Sequence, residues 1–172
     1  MKSKFLLLDR DGVINKEKNY LYQAEDFEFI DGVFEACKEY IDRGYKIAVI
    51  TNQSGIGRGY YSESDFEKLT RWMVAEFAKA DVTITDVQYC PHTPYHECNC
   101  RKPKTGMIEA IDKKHGIDLP NSILVGDKES DIECGQNAGI GTTVIVKSGH
   151  AFDEKQTKAD YVMKDVKDLI FL

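Results

Sequence analysis

No apolar run in this chain of 172 residues approaches the roughly 20 residues that span a bilayer, so no membrane anchor is expected. An excess of positive charge is also missing. Lys and Arg number 23 against 29 Asp and Glu, a net charge of −6. That balance excludes a broad nucleic-acid surface but leaves room for a small basic pocket. No secretory signal is visible, because Met1-Lys2-Ser3-Lys4-Phe5 run straight into a strand pattern. A cytoplasmic protein is therefore expected. Its five cysteines should be reduced, which suits metal binding or burial better than disulfides. Internal repeats, low-complexity tracts and dividing linkers are absent too. One domain over residues 1–172 is expected, with a core that is stable unaided.

What is present alternates. Strand patterns at Lys4–Asp9, Lys46–Ile50, Ile84–Cys90, Ser122–Gly126 and Thr142–Val146 are separated by helical patterns. Asp31 reads as the cap of a first helix that Gly44 stops. Ser62 with Asp65 reads as a capping box, and Thr105 as a third cap. A short strand at Tyr161–Met163 and a helix opened by Asp165 complete the chain. Residues 148–159 carry the weakest pattern and are expected to be an exposed loop. The order implies an α/β fold: a three-layer, Rossmann-like parallel sheet with helices on both faces.

In such sheets ligands bind beyond the carboxyl ends of the strands. Three polar clusters fall there. Asp9-Arg10-Asp11-Gly12 follows the run Phe5-Leu6-Leu7-Leu8, Thr51-Asn52-Gln53-Ser54 follows the second strand, and Asp127-Lys128 follows the fourth. Read alone, the first cluster is also a strand ending in a turn. Read together, the three place complementary chemistry on one edge. Asp9, Asp11 and Asp127 offer hard oxygen ligands suited to magnesium. Thr51 offers a hydroxyl and Lys102 a full charge. These are the parts that phosphoryl transfer needs, with one Asp attacking phosphorus and a second handling the proton. Elsewhere, Cys90, His92, Cys98 and Cys100 form a C-x-H…C-x-C set that fits closed tetrahedral zinc. That zinc would be structural, fixing the loop at about 90–100 that ends in Arg101-Lys102. His96 is a substitute ligand expected to be exposed, and Cys37 and Cys134 are expected core thiols.

The order DRDG, TNQSG, RKP and VGDKESD resembles the haloacid dehalogenase superfamily of phosphatases over nearly the whole chain. The resemblance implies Asp9 as nucleophile, Asp11 as general acid/base, Thr51 as phosphate-binding hydroxyl and Lys102 as the motif lysine. It also implies magnesium held by Asp9, the backbone carbonyl of Asp11, and Asp127. The intervals from Asp11 to Thr51 and from Thr51 to Lys102 leave no room for the cap domain that many members carry, so an open site is expected. The zinc loop CPH…CxCRKP is similar to the branch that holds D-glycero-D-manno-heptose-1,7-bisphosphate phosphatases and histidinol-phosphate phosphatases. FEFIDGV, TNQSGIGRG and RKPKTGM are closer to the heptose enzymes, whereas the short gap between His92 and Cys98 is closer to the histidinol enzymes. The heptose resemblance implies substrate contacts at Glu17, Lys18, Asn19, Tyr20, Asn52, Gln53, Ser54, Arg101 and Lys128. Arg101 suits a second phosphate, because its planar fork binds oxygens in pairs. The implied partner is a small phosphorylated molecule, a sugar bisphosphate, taken up by a monomer without nucleic acid or membrane. Competing readings are a histidinol-phosphate phosphatase, a DNA 3′-phosphatase and a zinc-stabilised binding module without catalysis.

Overall fold

A computed structural model of the chain describes residues 1–172. Strands β1 (Lys4–Leu8), β2 (Tyr45–Asn52), β3 (Ile84–Cys90), β4 (Ile123–Gly126), β5 (Thr142–Val146) and β6 (Tyr161–Met163) form one sheet. Its order is β3-β2-β1-β4-β5-β6 and every pairing is parallel. Successive side chains on a strand face opposite sides. Leu6 and Leu8 therefore enter one core, with Val33, Tyr40, Met73 and Phe77, while Phe5 and Leu7 enter another, with Met107, Ile108 and Ile111. Both faces of β1 are buried, which is why it reads as an unbroken apolar run.

The first core lies under helices α1 (Val33–Asp42) and α3 (Glu63–Lys79), and the second lies under α4 (Gly106–His115) and α5 (Glu129–Ala138). A four-residue helix, α2 (Ser54–Gly57), follows β2 directly. Neither interval around Thr51 contains a separate folded unit, so no cap domain covers the sheet edge. No helix is long and apolar enough to cross a membrane.

Ser62 caps α3 as expected, and Asp65 returns the bond in a capping box. Two other caps differ. Gly32, with φ of +86°, caps α1 in place of Asp31. The stem of Lys167 packs where a Cβ at position 32 would stand, and the exposed Asp31 pairs with Lys167 at 3.5 Å instead. Thr105 makes no side-chain bond at the start of α4. The terminal helix is a 3-10 helix over Val166–Phe171, opened by the Asp165 carboxylate, which accepts from Lys167 N.

Candidate active site

Parallel register levels the strand ends. Leu8 stands opposite Val49 on β2 and Val125 on β4, and Asp9 N continues the ladder to Val125 O at 3.0 Å. The residues that follow these strands open onto one cavity of about 300 Å³. Asp9, Asp11, Asn52, Gln53, Ser54, Asp127 and Lys128 line it. Glu17, Asn19 and Tyr20 join them from the loop after β1, and Arg101 and Lys102 from the loop after β3.

Lys102 is the hub of the buried side. Its Nζ donates to Asp9 Oδ1 at 3.0 Å and to Ile50 O at 3.0 Å, and it pairs with Asp131 Oδ1 at 2.7 Å. Burial alone would lower its pKa. The Asp131 and Asp9 carboxylates outweigh burial and raise it, so the lysine stays charged. Burial drives Asp9 the other way, well above the carboxylate range. Lys102 opposes that rise, while Asp131, Asp127 and Asp11 add to it. Asp11 is different again. Burial raises its pKa, but the Arg10 guanidinium and bonds from Asn15, Arg10 and Gln53 bring the net value below normal. Arg10 Nη2 reaches both Asp11 oxygens, at 3.0 and 3.1 Å, and also donates to Leu21 O at 3.1 Å.

Two expected residues sit differently. Lys18 does not line the cavity. Asn19 and Tyr20 adopt positive φ, +52° and +58°, and bring their own side chains to the cavity, while Lys18 Nζ pairs with Glu28 at 3.1 Å. Thr51 is buried, and its Oγ1 accepts from Gln53 Nε2 at 2.8 Å. Gln53 is the link from there to Asp11, donating to Oδ2 at 3.1 Å, and Tyr61 donates to its carbonyl oxygen.

Sequence reasoning passed over Arg58, Tyr61, Ser130, Asp131 and His150, all of which line the cavity. Asp131 carried a usable signal. It lies one helical turn beyond Asp127, and its Oδ2 accepts from Asp127 N and Lys128 N at 3.0 and 3.1 Å. His150 belongs to the stretch expected to be an exposed loop. Instead Ser148 Oγ donates to Gly12 O at 2.7 Å, and the half-buried turn at 148–150 folds over the site. The cluster Ser148-Gly149-His150 follows an apolar strand, β5, the same rule that picked out the other three.

The Cys90, His92, Cys98 and Cys100 ligand atoms all lie within 4.8 Å of one another. Cys90 Sγ stands 3.8 Å from Cys98 Sγ and 3.5 Å from His92 Nδ1, which in turn is 3.3 Å from Cys100 Sγ. Zinc–sulfur bonds of about 2.3 Å in a tetrahedron put sulfurs about 3.8 Å apart, so the four atoms have the spacing of a closed metal site. Slight burial raises the Cys98 thiol, but the backbone N–H groups of Arg101 and Cys100 and the neighbouring thiols bring it down to about 6. His96 is exposed and bonds Thr93, and Cys37 and Cys134 are buried core thiols.

A parallel sheet of this order, with acids beyond its first and fourth strands and a buried lysine between them, defines a haloacid dehalogenase-like hydrolase. A family model for HAD-hydrolase-like proteins matches residues 99–169. More narrowly, the chain belongs to the D-glycero-D-manno-heptose-1,7-bisphosphate 7-phosphatase family of that superfamily. It is 46% identical over 172 residues to the α-anomer 7-phosphatase of Campylobacter jejuni, covering 99% of this chain and 95% of the relative. Identity to the β-anomer 7-phosphatase of Haemophilus ducreyi is 42%, over 99% and 98% of the two chains. The crystal structure of D,D-heptose 1,7-bisphosphate phosphatase from B. bronchiseptica, complexed with magnesium and phosphate, superposes with a TM-score of 0.86. It is 26% identical, with 98% of this chain and 96% of that chain covered.

The donor set here fits magnesium. Asp9, Asp127 and Asp131 bring carboxylate oxygens within 4.8 Å of one another, against the single charge of Lys102. Asp131 is already committed, with Oδ1 on Lys102 and Oδ2 on two backbone N–H groups. Asp127 Oδ1, by contrast, is buried without any partner. A buried acceptor left in that state is costly, and a hard cation relieves the cost.

Proposed function

We propose that this chain removes the 7-phosphate of D-glycero-D-manno-heptose 1,7-bisphosphate through an aspartyl-phosphate. Asp9, as the carboxylate that Lys102 stabilises, attacks phosphorus, and Asp11, once it has taken up a proton, gives that proton to the departing sugar oxygen. Asp11 then takes a proton from water as that water attacks the aspartyl-phosphate, releasing phosphate and restoring Asp9. Lys102 holds Asp9 in place, and Thr51 supplies its hydroxyl from beneath Gln53. Asp9, the Asp11 carbonyl and Asp127 hold magnesium, which when bound offsets the negative charge shared by nucleophile and phosphate. Cys90, His92, Cys98 and Cys100 hold a structural zinc.

The observation that carries the substrate is a surplus of cations. Lys102 is neutralised by Asp9 and Asp131, yet Arg58, Arg101 and Lys128 also line the cavity and form no ion pair. Three unpaired cations suit a molecule with two phosphates better than one with a phosphate and an amine. Glu17, Asn19, Tyr20, Asn52 and Ser54 are left for the sugar hydroxyls, with Gln53 holding Thr51 and Asp11 beside them. The net charge of −6 disfavours a DNA end. The chain acts in this reading as a cytoplasmic monomer without disulfides.

Phosphate release from both heptose bisphosphate anomers, from sugar monophosphates and from histidinol phosphate is the test. A bisphosphate should be preferred by at least about tenfold in kcat/KM, a difference of about 1.4 kcal/mol. A preference for histidinol phosphate defeats the sugar reading. Asp9→Asn should lower turnover at least about 1,000-fold while fold and zinc content persist. Residual turnover near wild type would remove Asp9 from the role of nucleophile.

A further inference from the structure

We propose that His150 is a positioning residue that fixes the plane of the Asp127 carboxylate, so that one oxygen is held facing the cation; this rests on reading Asp127 as a magnesium ligand. The two oxygens of that carboxylate stand in opposite conditions. Oδ2 accepts from His150 N at 2.9 Å and from His150 Nδ1 at 2.7 Å. A carboxylate oxygen only accepts, so the ring proton is on Nδ1. The same oxygen is walled in by backbone, because a Cβ added at Gly12 or at Gly149 would overlap it. Oδ1 is buried and has no partner at all. Lys102, the buried lysine of the site, is already shared by Asp9 and Asp131.

The carboxylate is thus held by one oxygen and presented by the other. Histidine does the holding from outside the sheet. It sits on the turn after β5, which Ser148 ties to Gly12 O. Its Nε2 faces Glu17 Oε2 at 4.0 Å across the cavity edge. The ring is 39% exposed, so removing it leaves no hole in either core. What removal takes away is the directional bond on Oδ2. The carboxylate then keeps only the backbone donor on Oδ2 and is less firmly held about its terminal torsion, so the oxygen that faces the cation is no longer fixed in place. Partners that orient a metal ligand in this way are worth about 10- to 100-fold in affinity.

Manganese(II) binding to the substrate-free protein, followed by titration calorimetry and by its paramagnetic resonance signal, reads this without turnover. His150→Ala should weaken binding about tenfold, with the melting temperature of the metal-free protein unchanged. His150→Asn, whose amide can donate from the place of Nδ1, should restore most of the affinity. Asp127→Asn should remove the site. Wild-type affinity in His150→Ala, alongside loss in Asp127→Asn, overturns the proposal and leaves the ligand assignment standing. An Asn variant as weak as the Ala variant, with normal melting, overturns it as well, since the donated bond is then not what matters. Unchanged binding in Asp127→Asn would instead defeat the ligand assignment on which the proposal rests.

Discussion

Asp9 and Asp11 are two residues apart and live in different electrostatic worlds. Asp9 shares one lysine with Asp131, whereas Asp11 has Arg10 to itself and two further donors. The pair was legible as a pair in the sequence, since no other explanation of DRDG draws on the motifs downstream. Arg10 was not legible. A single arginine between two aspartates reads as a surface charge until the fold buries it. Cysteines show the same contrast. Burial pushes the Cys37 thiol up to about 12, while Cys98 lies near 6. After chelation, iodoacetamide at pH 8 should therefore modify Cys98 rapidly and leave Cys37 untouched until the protein unfolds. The thiolate is the reactive form, so the Cys98 rate should hold as pH falls towards 6 and decline below it. Peptide mapping by mass spectrometry checks both sites. Fast labelling of Cys37 in folded protein would contradict its burial.

At the scale of elements, β1 and β4 were read readily because burial on both faces leaves them almost wholly apolar, and such runs are hard to mistake. Caps were harder. Ser62 announces itself through Asp65, three residues on, as a local and reciprocal device. Gly32 does not, because its need for a positive φ and for the space filled by Lys167 is set by a segment 135 positions away. Ser62→Ala should cost about 1 kcal/mol of stability. Asp31→Ala should change it by no more than about 0.5 kcal/mol, as an exposed residue outside any cap. Chemical denaturation measures both, and equal losses would restore Asp31 as the cap. The turn at 148–150 escaped notice for a third reason. It has neither apolar period nor capping signal, and its order comes from Ser148 reaching back to the loop after β1 and His150 to Asp127 beyond β4.

For the molecule as a whole, two organising forces meet at Lys102. The sheet delivers Asp9 and Asp127 by register. The loop after β3 delivers the lysine, and that loop closes on four potential metal ligands whose cysteines pack against the second core. Cys98→Ser should lose bound zinc and lower the melting temperature. Its turnover should fall as well, because Arg101 and Lys102 follow the cluster directly. Elemental analysis beside a thermal melt and a phosphate assay separates these effects. Full zinc content in the variant would show that the ligand set is different. Loss of zinc with undiminished turnover would show that the loop holds its place unaided.

The uncovered sheet edge has a kinetic meaning. With no cap domain above the cavity, no folded unit has to swing aside for substrate to enter or for phosphate to depart. Lid opening limits many enzymes, and here that step has no structural counterpart. Chemistry at phosphorus is then expected to limit turnover, so that turnover at saturation should be indifferent to added viscogen; a fall with viscosity would point to product release instead.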